Sequence, residues 1–279
     1  MASLHELADL GQAIWLDYIR RSFVTSGDLE ALIDNGLRGV TSNPTIFEKA
    51  IVGSTDYDQE LHRLMDQGKR VNEIYEALVL DDIRHTADLL RPLYDRTDGA
   101  DGFVSLEVSP ILAHDTPGTI AEAQRLFAAL DRPNVMIKVP ATPSGIPAIE
   151  ELIAGGININ VTLMFSMDQY EAVAEAYFAG LERRTANGED LSQVASVASF
   201  FVSRVDTAVD GVLEEMGKTT LTGKIAIANA KVAYAHFRKI LNGERWRSLK
   251  KRGARVQRVL WASTSTKNPL YPETLYVDS

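Results

Sequence analysis

Short apolar runs alternate along the chain with longer stretches whose apolar residues recur at spacings of three and four. The runs at 14–19, 39–43, 103–108, 135–139, 157–165, 194–202 and 256–263 predict strands. Stretches such as 119–130 and 167–184 predict helices with one buried face. Thr-Pro-Gly-Thr opens the first of these helices, and Ser166 followed by Gln169 opens the second in the manner of a capping box. Strands that alternate with helices form βα units and a parallel sheet. The strands are almost continuously apolar, the pattern of a sheet covered on both faces. Residues 56–94 leave room for two helices between the second and third strands. No linker, low-complexity segment or internal repeat divides the chain, so residues 1–279 are expected to form a single α/β domain.

The polar residues inside these runs carry the chemical information. Asp17 lies in the first strand and Asn43 at the end of the second, in Thr-Ser-Asn-Pro. Glu107 lies in Ser-Leu-Glu-Val and Lys138 in Ile-Lys-Val-Pro. Asn160 and Thr162 follow in the fifth strand, Ser199 in the sixth, and Arg204 just after it. Each such group costs several kcal/mol to bury unless it is paired, so its presence in an apolar run asks for a reason. In a parallel α/β barrel the C-terminal ends of the strands converge on one site, and groups contributed by six strands would line a single pocket.

Lys138 has three readings. It could snorkel from a strand end, or form a salt bridge with Glu107 or Asp17. As a functional group it would be a desolvated amine able to attack a carbonyl as a neutral nucleophile. A carboxyl would then protonate the departing carbinolamine hydroxyl, and Asp17 and Glu107 are the acids available. The other residues carry alternatives too. Asn43 before Pro44 suits a turn as well as a substrate contact. Ser199 could cap the following helix, and Arg204 could be a surface helix residue or a bidentate phosphate ligand. Asn160 and Thr162 also form a glycosylation sequon, which a buried strand would make accidental.

Composition narrows the classes. The formal net charge of −9 argues against a nucleic-acid partner. One basic run, through Arg245, Arg247, Lys250, Lys251, Arg252, Arg255 and Arg258, reads as a solvated helix end or loop, or as an anion-binding patch. Without cysteine there is no disulfide, thiolate metal site or cysteine nucleophile. The five histidines are scattered without ligand spacing, so no metal is expected. Met216 to Thr220 matches a phosphate-binding loop poorly, and no dinucleotide glycine fingerprint is present. No apolar stretch is long enough for a membrane span, and the acidic N-terminus is not that of a signal peptide. A cytoplasmic enzyme without membrane or nucleic-acid partners is expected, with homo-oligomerisation left open.

Taken together and in order, these motifs, with Asn-Val-Thr-Leu-Met-Phe-Ser from Asn160 and Ser-Phe-Phe-Val-Ser-Arg from Ser199, resemble transaldolases of the longer bacterial branch. The resemblance spans essentially the whole chain and implies a (β/α)8 TIM-barrel fold. It also implies a mechanism without metal or organic cofactor. Lys138 would form a Schiff base with a ketose phosphate such as sedoheptulose 7-phosphate or fructose 6-phosphate. Asp17 would take the C4 hydroxyl proton as the C3–C4 bond breaks, and Glu107 would shuttle protons through a water also held by Thr162. Asn43, Asn160 and Ser199 would hold the dihydroxyacetone unit, and Arg204 the phosphate. Lys267 is the candidate for a second phosphate cation. The chain departs from the pattern at Ser265, where that branch usually has glycine. Only 14 residues follow it where the pattern expects an eighth βα unit; a piece of a longer protein, closure by another chain and a degenerate relative are the readings left open. An unclosed barrel should expose a sheet edge. The competing readings are a Schiff-base aldolase that releases free dihydroxyacetone, and a non-catalytic barrel that binds sugar phosphates.

Overall fold

The computed structural model describes residues 4–279. They form two compact units: residues up to Pro110 with Glu122–Lys138, and Ile111–Ala121 with Val139–Ser279.

The first unit opens with α1 (Leu4–Asp9), β1 (Trp15–Asp17), α2 (Arg21–Thr25), α3 (Asp28–Asp34) and β2 (Gly39–Thr41). It continues through α4 (Pro44–Val52), α5 (Asp58–Asp66), α6 (Val71–Arg96) and β3 (Phe103–Glu107). The pair α5 and α6 fills the stretch in which two helices were expected. The unit ends with the part of α7 (Thr116–Leu130) from Glu122 onward and with β4 (Val135–Pro140) as far as Lys138. The strands pair in parallel and in chain order, β1 with β2, β2 with β3 and β3 with β4. Gly39 is needed in β2 because a Cβ there would meet the Trp15 ring at 2.5 Å. The Trp15 ring in turn stacks toward Phe103 with centroids 6.4 Å apart, which packs β1 toward β3 across the small residue.

The second unit contains α8 (Gly145–Ala154), β5 (Ile159–Met164), α9 (Met167–Ala186), β6 (Ser196–Phe201) and α10 (Ser203–Glu215). Then follow α11 (Ile225–Leu241), α12 (Glu244–Lys251) and β7 (Arg258–Ala262). Here too β5 pairs with β6 and β6 with β7, all parallel. Helix α9 starts as its sequence predicts, with the Ser166 side chain accepting from the Gln169 N–H. The return bond is displaced by one residue: Gln169 Oε1 accepts from the Phe165 N–H at 3.0 Å instead of that of Ser166. Gly180 lets α9 approach α8, since a Cβ there would lie 2.8 Å from that of Ile153. β5 is interrupted by a bulge between Val161 and Met164, with Leu163 at φ 60°. A leucine held there stores strain of about 1–3 kcal/mol. Gln169 supports the bulge through its amide, which donates to the Leu163 carbonyl at 3.3 Å.

The fold is therefore α/β, built of parallel βα units in chain order as in a TIM barrel. Seven strands are found among the described residues, each lying within its predicted run or one residue beyond it. Residues 263–279 contain no eighth.

Candidate active site

In the first unit, strand register brings the ionisable residues to one face. Asp17 is level with Thr41, Thr41 with Ser105, and Ser105 with Met136. Two residues further along, Glu107 is level with Lys138. Side chains two apart on a strand share a face, about 6.6 Å apart along it, so all six point the same way.

Lys138 is buried in the run that predicted β4. Its Nζ lies 3.3 Å from Glu107 Oε2 and donates to the Ser42 carbonyl at 3.0 Å. That carbonyl is itself held, because the buried Ser42 hydroxyl donates to the Ser105 carbonyl at 2.7 Å. The side chains of Lys138 and Glu107 are 9% and 15% exposed, so most of the lysine's hydration has been replaced by one carboxylate and one carbonyl. Of the two carboxylates considered for Lys138, Glu107 is the partner. Asp17 instead accepts from the Thr41 hydroxyl at 2.7 Å and remains exposed.

Asn43 occupies the N-cap of α4, with its Oδ1 accepting from the Ile46 N–H at 3.0 Å and Pro44 in the first turn. The turn reading of Asn-Pro is thus realised, and the side-chain amide nitrogen is the atom left to meet a ligand. Tyr75, on α6, also lies in the electrostatic neighbourhood of Glu107. Burial, and then the charges of Glu107 and Glu48, push its phenol above the ordinary value. Sequence reasoning missed Thr41, Ser42 and Tyr75. The first two sit inside the Thr-Ser-Asn-Pro motif, but their roles depend on a register that one strand cannot reveal.

The second unit carries the neutral candidates. Asn160 and Ser199 are both buried, and the Ser199 hydroxyl donates to Asn160 Oδ1 at 2.7 Å. Asn160 is level with Val197, which puts Ser199 on the same face. Ser199 therefore lies within β6 and caps nothing. The cap position of α10 is Val202, without a side-chain cap. Thr162 is buried next to the bulge, and its carbonyl accepts from the Ala141 N–H at 2.8 Å.

Arg204 is exposed in the first turn of α10, its guanidinium 4.8 Å from the Phe201 ring centroid. Among the described residues no carboxylate forms an ion pair with it. Lys267 is exposed as well, and its Nζ donates to Ser265 Oγ at 2.7 Å. Two features fasten the segments that bear these cations. Ser203, the neighbour of Arg204, donates its N–H to the Ser263 carbonyl at 2.9 Å. Further on, Tyr271 and Tyr276 donate to Asp210 at 2.6 Å and Asp206 at 2.9 Å, both acids on α10.

The basic run is partly neutralised, since Arg245 bridges Glu175 and Glu182 on α9. Lys250 and Lys251 end α12 in solvent. Among the described residues there is no cluster of three or more metal-ligating side chains, and no helix is long and apolar enough to cross a membrane.

Comparison with known proteins places the chain in one family. A family described as Transaldolase/Fructose-6-phosphate aldolase matches residues 14–279. The transaldolase of Trichodesmium erythraeum is 49% identical over 99% of this chain and 76% of its own length. That of Acidothermus cellulolyticus is 53% identical over 98% of the chain and 74% of its own length. A protein of a Nostoc species named transaldolase 2 is 47% identical over 99% of the chain. With about half of all positions identical across nearly its whole length, the chain belongs to the transaldolase family.

Proposed function

We propose that this enzyme transfers a dihydroxyacetone unit from a ketose phosphate, such as fructose 6-phosphate or sedoheptulose 7-phosphate, to an aldose phosphate through a Schiff base on Lys138. The observation that carries the reading is the buried Lys138 amine, held between the Glu107 carboxylate and the Ser42 carbonyl. A primary amine so enclosed attacks the C2 carbonyl of the ketose once it has lost a proton. Glu107 accepts that proton and returns it to the carbinolamine hydroxyl, which leaves as water and gives the iminium.

Asp17 then removes the proton of the C4 hydroxyl. The C4–O electrons form the aldehyde as the C3–C4 bond breaks, and that bonding pair is taken up by the iminium as an enamine. The three-carbon unit stays bound until the aldehyde of an acceptor is attacked by C3, its oxygen taking the proton back from Asp17. Water finally releases the ketose product from Lys138. Thr41, whose hydroxyl donates to Asp17 at 2.7 Å, orients the carboxylate for this role.

By the family pattern, Asn43, Asn160 and Ser199 bind the hydroxyls of the dihydroxyacetone unit and Thr162 a water. The same pattern gives the phosphate to Arg204, and we add Lys267 as a second cation. The enzyme would work in the cytoplasm on soluble sugar phosphates.

Product analysis with fructose 6-phosphate tests the proposal. A new ketose phosphate formed only when an aldose phosphate is added supports transfer. Free dihydroxyacetone accumulating without acceptor would replace it with the hydrolytic aldolase. No turnover in either case, with sugar phosphate still bound, would leave only the binding function.

A further inference from the structure

Among the buried titratable groups that the mechanism above does not use, one network stands out by its extent, and it lies entirely in the first unit. Arg20 forms a two-pronged pair with Asp56, at 2.6 Å and 3.0 Å. Asp56 also accepts from the Ser22 N–H at 3.1 Å, so it satisfies the start of α2 from a distance, where Arg20 as N-cap offers no side-chain acceptor. Arg21 Nε donates to Asp82 Oδ1 at 2.8 Å, and its Nη2 to Asp81 at 3.0 Å. The Tyr57 hydroxyl accepts from the Arg21 N–H at 3.0 Å and donates to Asp82 Oδ2 at 2.8 Å. The Arg21 guanidinium also lies 4.9 Å from the Tyr57 ring centroid. Tyr57 and Asp82 are each 1% exposed.

Stability alone does not account for this arrangement. Apolar side chains of similar size at such positions are often as stabilising as a buried ion pair, or more so. What the network does is fix one short segment. Arg20 and Arg21 follow Asp17 by three and four residues, directly beyond β1. That strand is only three residues long, and within its unit it pairs with β2 alone. A strand this short holds its C-terminal residue through few ladder bonds, and the Asp17 carboxylate has the Thr41 hydroxyl beside it. Seven polar contacts tie Arg20, Arg21 and Ser22 to Asp56, Tyr57 and α6, and the Tyr57–Asp82 bond links two of their partners; together they replace the rigidity that the strand lacks.

We propose that Arg20, Arg21, Tyr57 and Asp82 are positioning residues for Asp17, holding the exit of β1 so that its carboxylate meets the C4 hydroxyl of the bound ketose. The inference rests on the function proposed above and assigns the network to one step of it. Carbon–carbon cleavage depends on Asp17, whereas Schiff-base formation depends on Lys138 and Glu107. Loosening the network therefore slows cleavage and spares the Schiff base.

The test separates these two steps. Wild type, Tyr57→Phe, Asp82→Asn and, as reference, Asp17→Asn are mixed with fructose 6-phosphate and quenched with borohydride within the first turnovers. Peptide mass spectrometry then counts six-carbon and three-carbon adducts on Lys138. Tyr57→Phe keeps the ring and Asp82→Asn keeps the shape, and total adduct reports the folded, competent fraction. The expected result is total adduct near wild type, a three-to-six-carbon ratio lowered by about tenfold to a hundredfold, and kcat lowered in parallel with KM little changed. Asp17→Asn should shift the ratio further in the same direction. An unchanged ratio would overturn the inference and leave the network as scaffold, whether total adduct stays constant or falls with thermal stability. A wild type that forms no adduct would instead overturn the proposed function, and this inference with it.

Discussion

The two units hold their candidate site residues in opposite ways. In the first, Lys138, Glu107 and Asp17 are ionisable strand residues with specific partners. Lys138 and Glu107 pair with each other, the lysine also meets the Ser42 carbonyl after β2, and Asp17 accepts from Thr41 of β2. In the second, the buried pair is neutral, a serine hydroxyl on an asparagine carbonyl, and the candidate cations Arg204 and Lys267 stay exposed. The difference follows from the cost of burial. A neutral hydroxyl or amide needs one good hydrogen bond to be buried cheaply, whereas a charge needs a counter-charge and further dipoles. On the proposed reading, the amine that must be desolvated to react is surrounded with supports. The groups proposed only to bind are buried as a neutral pair, and the proposed phosphate cations are left in water.

Lys138→Met should break the contrast most severely. With the nucleophile gone, turnover in a transfer assay falls by at least about four orders of magnitude. A variant that retained more than about one per cent of wild-type turnover would mean that the amine is not the nucleophile. Next in size is Arg204→Ala. It should raise KM for a phosphorylated donor by about tenfold to a hundredfold, the loss of a charge-assisted contact, while kcat and thermal stability stay close to wild type. Unphosphorylated fructose should not notice the change, and a drop in melting temperature would show the residue to be structural instead.

Ser199→Ala sharpens the other half of the comparison. It removes a buried donor to Asn160, so denaturant unfolding should record a loss of about 1–2 kcal/mol together with a higher KM. The smallest effect is linked to pH. The hydrogen bond from Arg20, helped by that from Ser22 against the opposing effect of burial, holds the Asp56 carboxyl well below the usual carboxylate range. A folded-state pKa that is depressed gives stabilisation that is complete above the unfolded value of about 4 and is lost as pH falls through the folded one. Asp56→Asn should therefore melt below wild type at neutral pH, and the gap should close progressively under about pH 4. A gap that widened in acid would reverse the sign of the linkage.

Much of the fold could be read from the residues because parallel strands covered on both faces are written as apolar runs. All seven runs contain strands, and the interval at 56–94 holds α5 and most of α6. The strands are mostly shorter than their runs, since apolar character extends into the turns that pack beneath the helices, as at Ile19 and Val202. Lys138, Glu107, Asn160 and Ser199 were visible as polar residues where an apolar one was due.

What stayed hidden was pairing across strands and along the chain. Thr41 reaches Asp17 because the two are level in register, and Ser42 meets Lys138 through a backbone carbonyl that no side-chain pattern marks. Asp82 lies in the middle of a helix whose sequence gives no sign that it faces Arg21, 61 positions away. Leu163 at positive φ was equally illegible, because leucine is a residue that the left-handed region disfavours.

The central claim is that the buried Lys138 amine is the nucleophile, and reductive trapping tests it most directly. Incubation with fructose 6-phosphate followed by borohydride should leave a reduced dihydroxyacetone adduct on the peptide containing Lys138, and none when Lys138→Met is treated in the same way. A folded wild-type protein that bound the sugar phosphate but yielded no adduct at Lys138, or carried it on another lysine, would contradict the account.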